Sequence, residues 1–192
     1  MPPTDPAGLD DALAAAQAGR PEALREVYEQ LAPRVHGYLS ARGASEPDDL
    51  TSEVFLTVFS KLATVTGGAA GLRTLVFSVA HARLVDDLRR QSRRGNAVSY
   101  EDWQDDRTAP SPEDEAVDRI RTAEIRALLD ELPADQRDVL LLRVVADLSV
   151  EQTAAAVGRS AGAVKQLQRR ALLALRAQIH DGFSFGLAPV TP

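Results

Sequence analysis

The side chains able to do chemistry in this chain fall into three sets, and all three are built to recognise rather than to react. Arg159, Ser160, Lys165, Gln166, Arg169 and Arg170 crowd one short stretch, where cationic groups can reach phosphates or the edges of guanine. Gly67, Gly68, Arg83, Asp86, Arg89, Arg90, Arg93 and Arg94 form a second set, glycine-rich at its start and arginine-rich at its end. In the third, Asp49 and Glu53 surround Leu56, giving the apolar centre and charged rim of a protein-docking site. The histidines His36, His81 and His180 are scattered, with no second ligand at metal spacing. Gly67, Gly68 and Gly71 make no phosphate-binding fingerprint, because no strand precedes them. No nucleophile–base pair emerges, so the expectation is a protein that is not an enzyme, with no catalytic residue, metal or cofactor.

The elements that present the first set are legible from Asp147 to Arg176, DLSVEQTAAAVGRSAGAVKQLQRRALLALR. Ser149 and Gln152 fit a capping box at a helix start, Val150, Ala154 and Val157 give that helix one apolar face, and Gly158 supplies the left-handed residue that ends it. Ser160 can cap a second helix. On it Val164, Leu167, Ala171, Leu175 and Ile179 gather in one stripe, while Lys165, Gln166, Arg169 and Arg176 take the opposite side with Arg170 at its edge. Two short helices on a tight turn make a helix-turn-helix pattern, whose second helix lies in the major groove of DNA. An αα-hairpin with a solvated basic face is the alternative.

The same angular reading positions the other two sets. Between Asp48 and Leu62, the residues Leu50, Val54, Phe55, Val58 and Leu62 cover one side, and Asp49, Ser52, Glu53 and Ser60 the other, with Leu56 in the middle of the polar side. In the next helix Leu72, Leu75, Val76 and Val79 pack early, and Phe77, Leu84 and Leu88 continue the core on another side. Arg83 and Arg90 lie one above the other opposite that later stripe, flanked by Asp86 and Asp87.

Across the whole chain the pattern is all-α, with helices expected over 9–18, 21–42, 46–63, 70–91, 114–131, 134–146, 149–157 and 160–179, and no convincing strand. The helices fall into two small domains, 9–94 and 113–180. A flexible acidic linker at 95–112 joins them, with a disordered N-terminal tail at 1–8 and a C-terminal tail at 181–192. The net charge of −6 hides strong segregation: Tyr100 to Asp118 holds eight carboxylates against one arginine, while Arg83 to Arg94 and Arg159 to Arg176 are basic. Cysteine is absent, so neither disulfides nor thiolate metal sites are available. No secretory signal or membrane span is visible, which gives the expectation of a cytoplasmic protein without membrane insertion.

Three segments in order resemble the sigma-70 family of bacterial initiation factors, in its extracytoplasmic-function group. GRPEALREVYEQLAPRVHGYLSARG with DDLTSEVFLTVFSKL resembles the group's opening helices, and LRTLVFSVAHARLVDDLRRQSRR its minus-10-recognising helix. LDELPADQRDVLLLRVVADLSVEQTAAAVGRSAGAVKQLQRRAL resembles its minus-35-binding domain. The resemblance implies a region 2-like helical bundle and a region 4-like helix-turn-helix domain. It also implies a factor that binds core RNA polymerase and directs it to promoter DNA, with an anti-sigma factor as a further partner.

On that resemblance Asp49, Glu53 and Leu56 are expected to bind core polymerase. Gly67, Gly68, Arg83, Asp86, Arg89, Arg90, Arg93 and Arg94 are expected at the minus-10 element, a base being captured by the loop Val65 to Gly71. Arg159, Ser160, Lys165, Gln166, Arg169 and Arg170 are expected at the minus-35 element. The chain departs from the group at Leu72 and Leu75, where a phenylalanine and a tryptophan are usual, and at Ala163, Leu167 and Leu172, which replace a threonine and two basic residues. A stand-alone helix-turn-helix regulator that never touches polymerase is the competing reading; it would leave the first domain without a role.

Overall fold

The computed structural model describes residues 6–94 and 125–185. Among them every regular element is helical: α1 (Pro6–Gln17), α2 (Pro21–Ala41), α3 (Pro47–Lys61), a short 3-10 turn (Leu62–Thr64) and α4 (Gly68–Arg94) precede the second group. That group holds α5, described over 125–130, then α6 (Ala134–Val144), α7 (Val150–Val157) and α8 (Ala161–Phe185). The acidic linker expected at 95–112 lies outside the described residues.

Local signals fix most boundaries. Pro21 and Pro47 open α2 and α3, where a missing N–H costs nothing. Asp48 and Asp49 in the first turn of α3 and Lys61 in its last complement the helix dipole. Several boundaries differ from the sequence expectation. Residues 6–8, read as tail, are the first turn of α1, because Leu9 must be fully buried and a turn is needed to hold it. Helix α4 starts at Gly68 rather than 70 and runs to Arg94, about 40 Å. Helix α8 continues past 179, so residues 181–185, also read as tail, are helical.

The first four helices pack around Leu9, Val27, Leu31, Val35, Tyr38, Leu39, Val54, Phe55, Leu72, Phe77 and Leu84, each 2% exposed or less. This core does not stop at the end of α4: Leu141, Leu142, Ala146, Leu148 and Ala156 of the second group belong to the same apolar cluster. Leu142 and Leu148 are wholly buried, a gain of about 2 kcal/mol each from transfer alone. Two smaller clusters hold the second group together, Leu132, Leu140 and Ala171 in one and Val139, Ala154 and Val164 in the other. Two helical modules thus lie packed on each other, α7 against α4 and α6 against α2.

The junction is not purely apolar. Arg42 Nε donates to Asp138 Oδ1 at 2.5 Å, and Tyr38 donates its hydroxyl to the same oxygen at 3.2 Å. His81 Nδ1 lies 2.9 Å from the Tyr38 oxygen; since that hydroxyl proton is committed to the carboxylate, the imidazole donates and carries its proton on Nδ1. Burial pushes the Tyr38 phenol up and the His81 imidazole down, so both stay neutral at neutral pH.

Candidate nucleic-acid and polymerase interfaces

The helix-turn-helix is built as its sequence demands. Ser149 Oγ accepts from the Gln152 N–H at 3.1 Å while Gln152 Oε1 accepts from the Ser149 N–H at 2.6 Å, so both halves of the capping box form. Gly158 has φ 64°, and the Arg159 N–H returns to the Ala154 carbonyl at 2.9 Å, closing α7 with a Schellman bond. Ser160 Oγ then accepts from the Ala163 N–H at 3.2 Å, capping α8. On α8 the apolar stripe is buried at Val164 and Ala171 and ends there: Leu167 and Leu175 are half-buried and Ile179 is exposed. Gln178 instead reaches Glu131 at 2.8 Å.

Lys165, Gln166, Arg169 and Arg170 all face outward, and no carboxylate among the described residues pairs with Lys165, Arg169 or Arg170. Arg159 differs, since its guanidinium is held 2.5 Å from Asp135. Leu172 and Leu173 are exposed beside the cations, and with Lys165, Gln168, Arg169 and Arg176 they line an open groove along the outer face of α8.

The first module places its candidates less uniformly. Arg89, Arg90 and Arg93 are exposed along the last turns of α4; the Arg94 side chain lies outside the described set. Asp86 pairs with Arg89 at 3.4 Å, a solvated helical pair. Asp87, read from sequence as a companion of Asp86, is 4% exposed and does something else: its carboxylate accepts from Ser45 N–H and Oγ and from Gln91, tying the α2–α3 turn to α4. Arg83 is half-exposed and leans across to α3, 3.6 Å from Glu53 and 3.3 Å from Thr57 Oγ1. The structure therefore joins a residue expected at polymerase to one expected at DNA. Leu56 is 72% exposed, with Asp49, Ser52, Glu53 and Ser60 exposed on the same helix, as the periodicity of α3 predicts.

The glycine loop before α4 has a physical cause that sequence reasoning missed. Gln17 of α1 donates to the Leu62 and Val65 carbonyls at 3.0 and 2.9 Å, and Asp10 accepts from the Ala69 N–H at 2.5 Å, satisfying one of the free donors at the start of α4. Gly67 and Gly68 have φ 79° and 61°, which only glycine adopts without cost. A side chain at Gly68 would collide with the Asp10 carboxylate, and one at Gly71 with the Thr66 carbonyl. The loop is thus a folded structure held by α1, with Leu72 buried beneath it rather than available to stack on a base. Gly71→Ala is expected to cost about 1–3 kcal/mol by forcing that carbonyl to move. Thermal melting checks this: an unchanged midpoint would mean that the close approach does not constrain the loop.

Nothing in the sequence marked Asp10, Gln17, Arg42, Arg73 or Asp138, because each acts through a partner far along the chain.

No helix of the described residues is long and apolar enough to cross a membrane. The family model described as Sigma-70 region 2 matches residues 27–94, and that described as Sigma-70, region 4 matches residues 122–175. The ECF RNA polymerase sigma factor SigD of Mycobacterium tuberculosis is 38% identical over 178 residues, which are 89% of this chain and 84% of that protein. The ECF RNA polymerase sigma factor BldN of Streptomyces coelicolor is 28% identical over 180 residues, 93% of this chain and 68% of that one. Among solved structures, CnrH in complex with the cytosolic domain of CnrY shares the fold with TM-score 0.67 at 17% identity, over 91% of this chain and 98% of that chain.

Proposed function

The chain belongs to the sigma-70 family, in the extracytoplasmic-function group, and we propose that its three exposed faces divide the work of a promoter-specificity factor. The outer face of α8, with Arg159, Ser160, Lys165, Gln166, Arg169 and Arg170, meets the minus-35 element. Gly67 and Gly68 with Arg83, Asp86, Arg89, Arg90, Arg93 and Arg94 serve the minus-10 element: the glycines shape the loop and the arginines neutralise phosphate, a contact that positions DNA without reading it. Leu56, with Asp49 and Glu53, docks on core RNA polymerase. The factor is not an enzyme and works in the cytoplasm, and an anti-sigma factor silences it by covering the polymerase-facing surfaces.

The observation that carries this reading is the two-sidedness of α8. Val164 and Ala171 are wholly buried, yet the cations one and two positions from them stand in solvent and close no ion pair among the described residues, though Lys165 is near enough to Glu151 to help its own backbone N–H and Ser149 hold that carboxyl below its ordinary pKa. A solvated surface helix of a chain with net charge −6 had carboxylates to spare for such a face. A stand-alone regulator is disfavoured, because it would leave α1 to α4, and Leu56 in particular, without a purpose.

Gel shifts with and without core polymerase test the proposal. The free chain is expected to bind promoter DNA poorly and the holoenzyme specifically, since each basic face is small. Arg169→Ala should weaken promoter binding by about 1–3 kcal/mol while leaving core affinity intact. Tight, sequence-specific binding by the free chain, indifferent to core, would sink the proposal.

A further inference from the structure

Helix α1 carries two polar side chains that its own packing does not require. Leu9, Ala12, Leu13 and Ala15 are buried and seat the helix on the first module, whereas Asp10 and Gln17 lie on its exposed side. Both turn to the backbone of one loop. Gln17 donates to the Leu62 and Val65 carbonyls at 3.0 and 2.9 Å, and Asp10 Oδ1 accepts from the Ala69 N–H at 2.5 Å, so α1 grips the loop at its start and at its end. Thr66 and Gly67 stand exposed between the two grips.

That grip matters because this stretch is hard to order. Fixing a backbone costs conformational entropy at every residue, and glycine loses the most. Here Gly67 and Gly68 are set at φ 79° and 61°, and the Gly71 N–H closes on the Gly67 carbonyl at 3.1 Å. A loop already fixed in shape binds without the ordering cost, whereas one that orders on binding loses affinity. Exposed hydrogen bonds add little to global stability, so the main consequence of these three is the conformation of the loop. Asp10 carries the wrong charge for a face that meets phosphate. Its place there follows from the bond it makes, not from its field.

We propose that Asp10 and Gln17 are positioning residues for the minus-10 element: from α1 they hold the loop Val65 to Gly71 in the shape that receives an unstacked base, so that capture does not have to order the glycines. The purpose of the loop rests on the function proposed above; its control by α1 does not. The charge makes the assignment testable by sign. If Asp10 acted only as a charge, removing it would tighten promoter binding, whereas removing a positioning residue weakens base capture although a repulsion is lost.

Hydrogen exchange in the full chain, without polymerase or DNA, reads the loop directly. Asp10→Ala and Gln17→Ala should each speed exchange of the amides over 62–71 by on the order of tenfold, with α2 and the melting midpoint unchanged. Asp10→Asn keeps an oxygen for the Ala69 N–H and should restore slow exchange. Capture is read in the holoenzyme with promoter fragments carrying an abasic site at each minus-10 position of the non-template strand in turn. The wild type should lose on the order of tenfold in affinity where the captured base is missing; the Asp10→Ala, Gln17→Ala double variant should show that loss already on the intact fragment and little more on the abasic one. Unchanged loop exchange in both alanine variants would overturn the positioning, and so would a collapsed melt, which would make the pair folding residues. Tighter promoter binding by Asp10→Ala and Asp10→Asn alike would overturn it too, and an equal further loss in wild type and double variant at every abasic position would overturn the link to a base. If the wild-type holoenzyme selected no promoter, the function proposed above would fail, while the exchange experiment would still decide whether α1 sets the loop.

Discussion

Replacing Leu56 with aspartate is expected to abolish most of the affinity for core polymerase while leaving the fold intact. At 72% exposure, on a helix whose buried side is complete with Leu50, Val54, Phe55 and Val58, the residue contributes almost nothing to the core. An exposed substitution there should move stability by no more than about 0.5 kcal/mol. If Leu56 is the apolar centre of a polymerase contact, the same change puts an unpaired charge into a desolvated interface, a loss of about 2 kcal/mol or more, roughly 30-fold in Kd. The measurement is core affinity beside the melting midpoint. Full affinity would remove the physical argument for this face, and a collapsed melt would show that Leu56 belongs to the core.

Glu53 cannot serve as a simple companion test, because the structure pairs it with Arg83. Glu53→Arg would set two cations against each other across α3 and α4, disturbing the polymerase face and the DNA face together. Glu53→Gln with Arg83→Gln, measured as a cycle, separates the two. The exposed pair itself contributes little stability, so any large effect on binding would come from what each side chain meets in the partner.

How much of this was legible depended on the reach of the interaction. The capping box of Ser149 and Gln152, the αL glycine at 158 and the buried side of α3 are written within four residues of each other, and helical geometry turns such spacing directly into contact. The outward face of Leu56 and the cations of α8 follow from the same periodicity. The packing of one module on the other does not: Arg42 and Asp138 are 96 residues apart, and Arg73 and Asp147 are 74 apart. Leu142 and Leu148 are buried in the same cluster as the core of the first module, a contact that no local spacing specifies. The glycine loop shows the limit from another side. Gly67, Gly68 and Gly71 were visible as a flexible composition suited to approach by a base, whereas their conformation is dictated by Asp10, Gln17 and the Thr66 carbonyl. Asp87 was misplaced because it follows Asp86 in sequence, and one step of about 100° along a helix turns a solvated carboxylate into a buried one.

That buried carboxylate gives the largest expected change in stability. Asp87 accepts from the Ser45 N–H at 2.9 Å, the Ser45 hydroxyl and Gln91 both at 2.8 Å, and lies 3.6 Å from Arg90. Gln91 also donates to the Gly43 carbonyl at 3.0 Å, so one carboxylate organises the whole α2–α3 connection on α4. Burial alone would raise its pKa, but the hydrogen bonds from Ser45 and Gln91, with Arg90 beside it, outweigh that and hold the group below its ordinary value. A depressed carboxylate stabilises the fold at every pH above its unfolded value near 4, and that contribution is lost as the pH falls through the lower folded value. Asp87→Ala should therefore cost about 3 kcal/mol at neutral pH, since it strands the Ser45 N–H and hydroxyl without an acceptor, and should lower the melting midpoint by on the order of 10 °C. Asp87→Asn keeps the shape and one acceptor and should cost less. The test that isolates the charge is the acid limb: wild type should lose stability below about pH 4 more steeply than either variant. Parallel acid limbs in all three proteins would mean that folding does not lower the Asp87 pKa, and that its charge adds nothing to the hold of Ser45 and Gln91 on the turn.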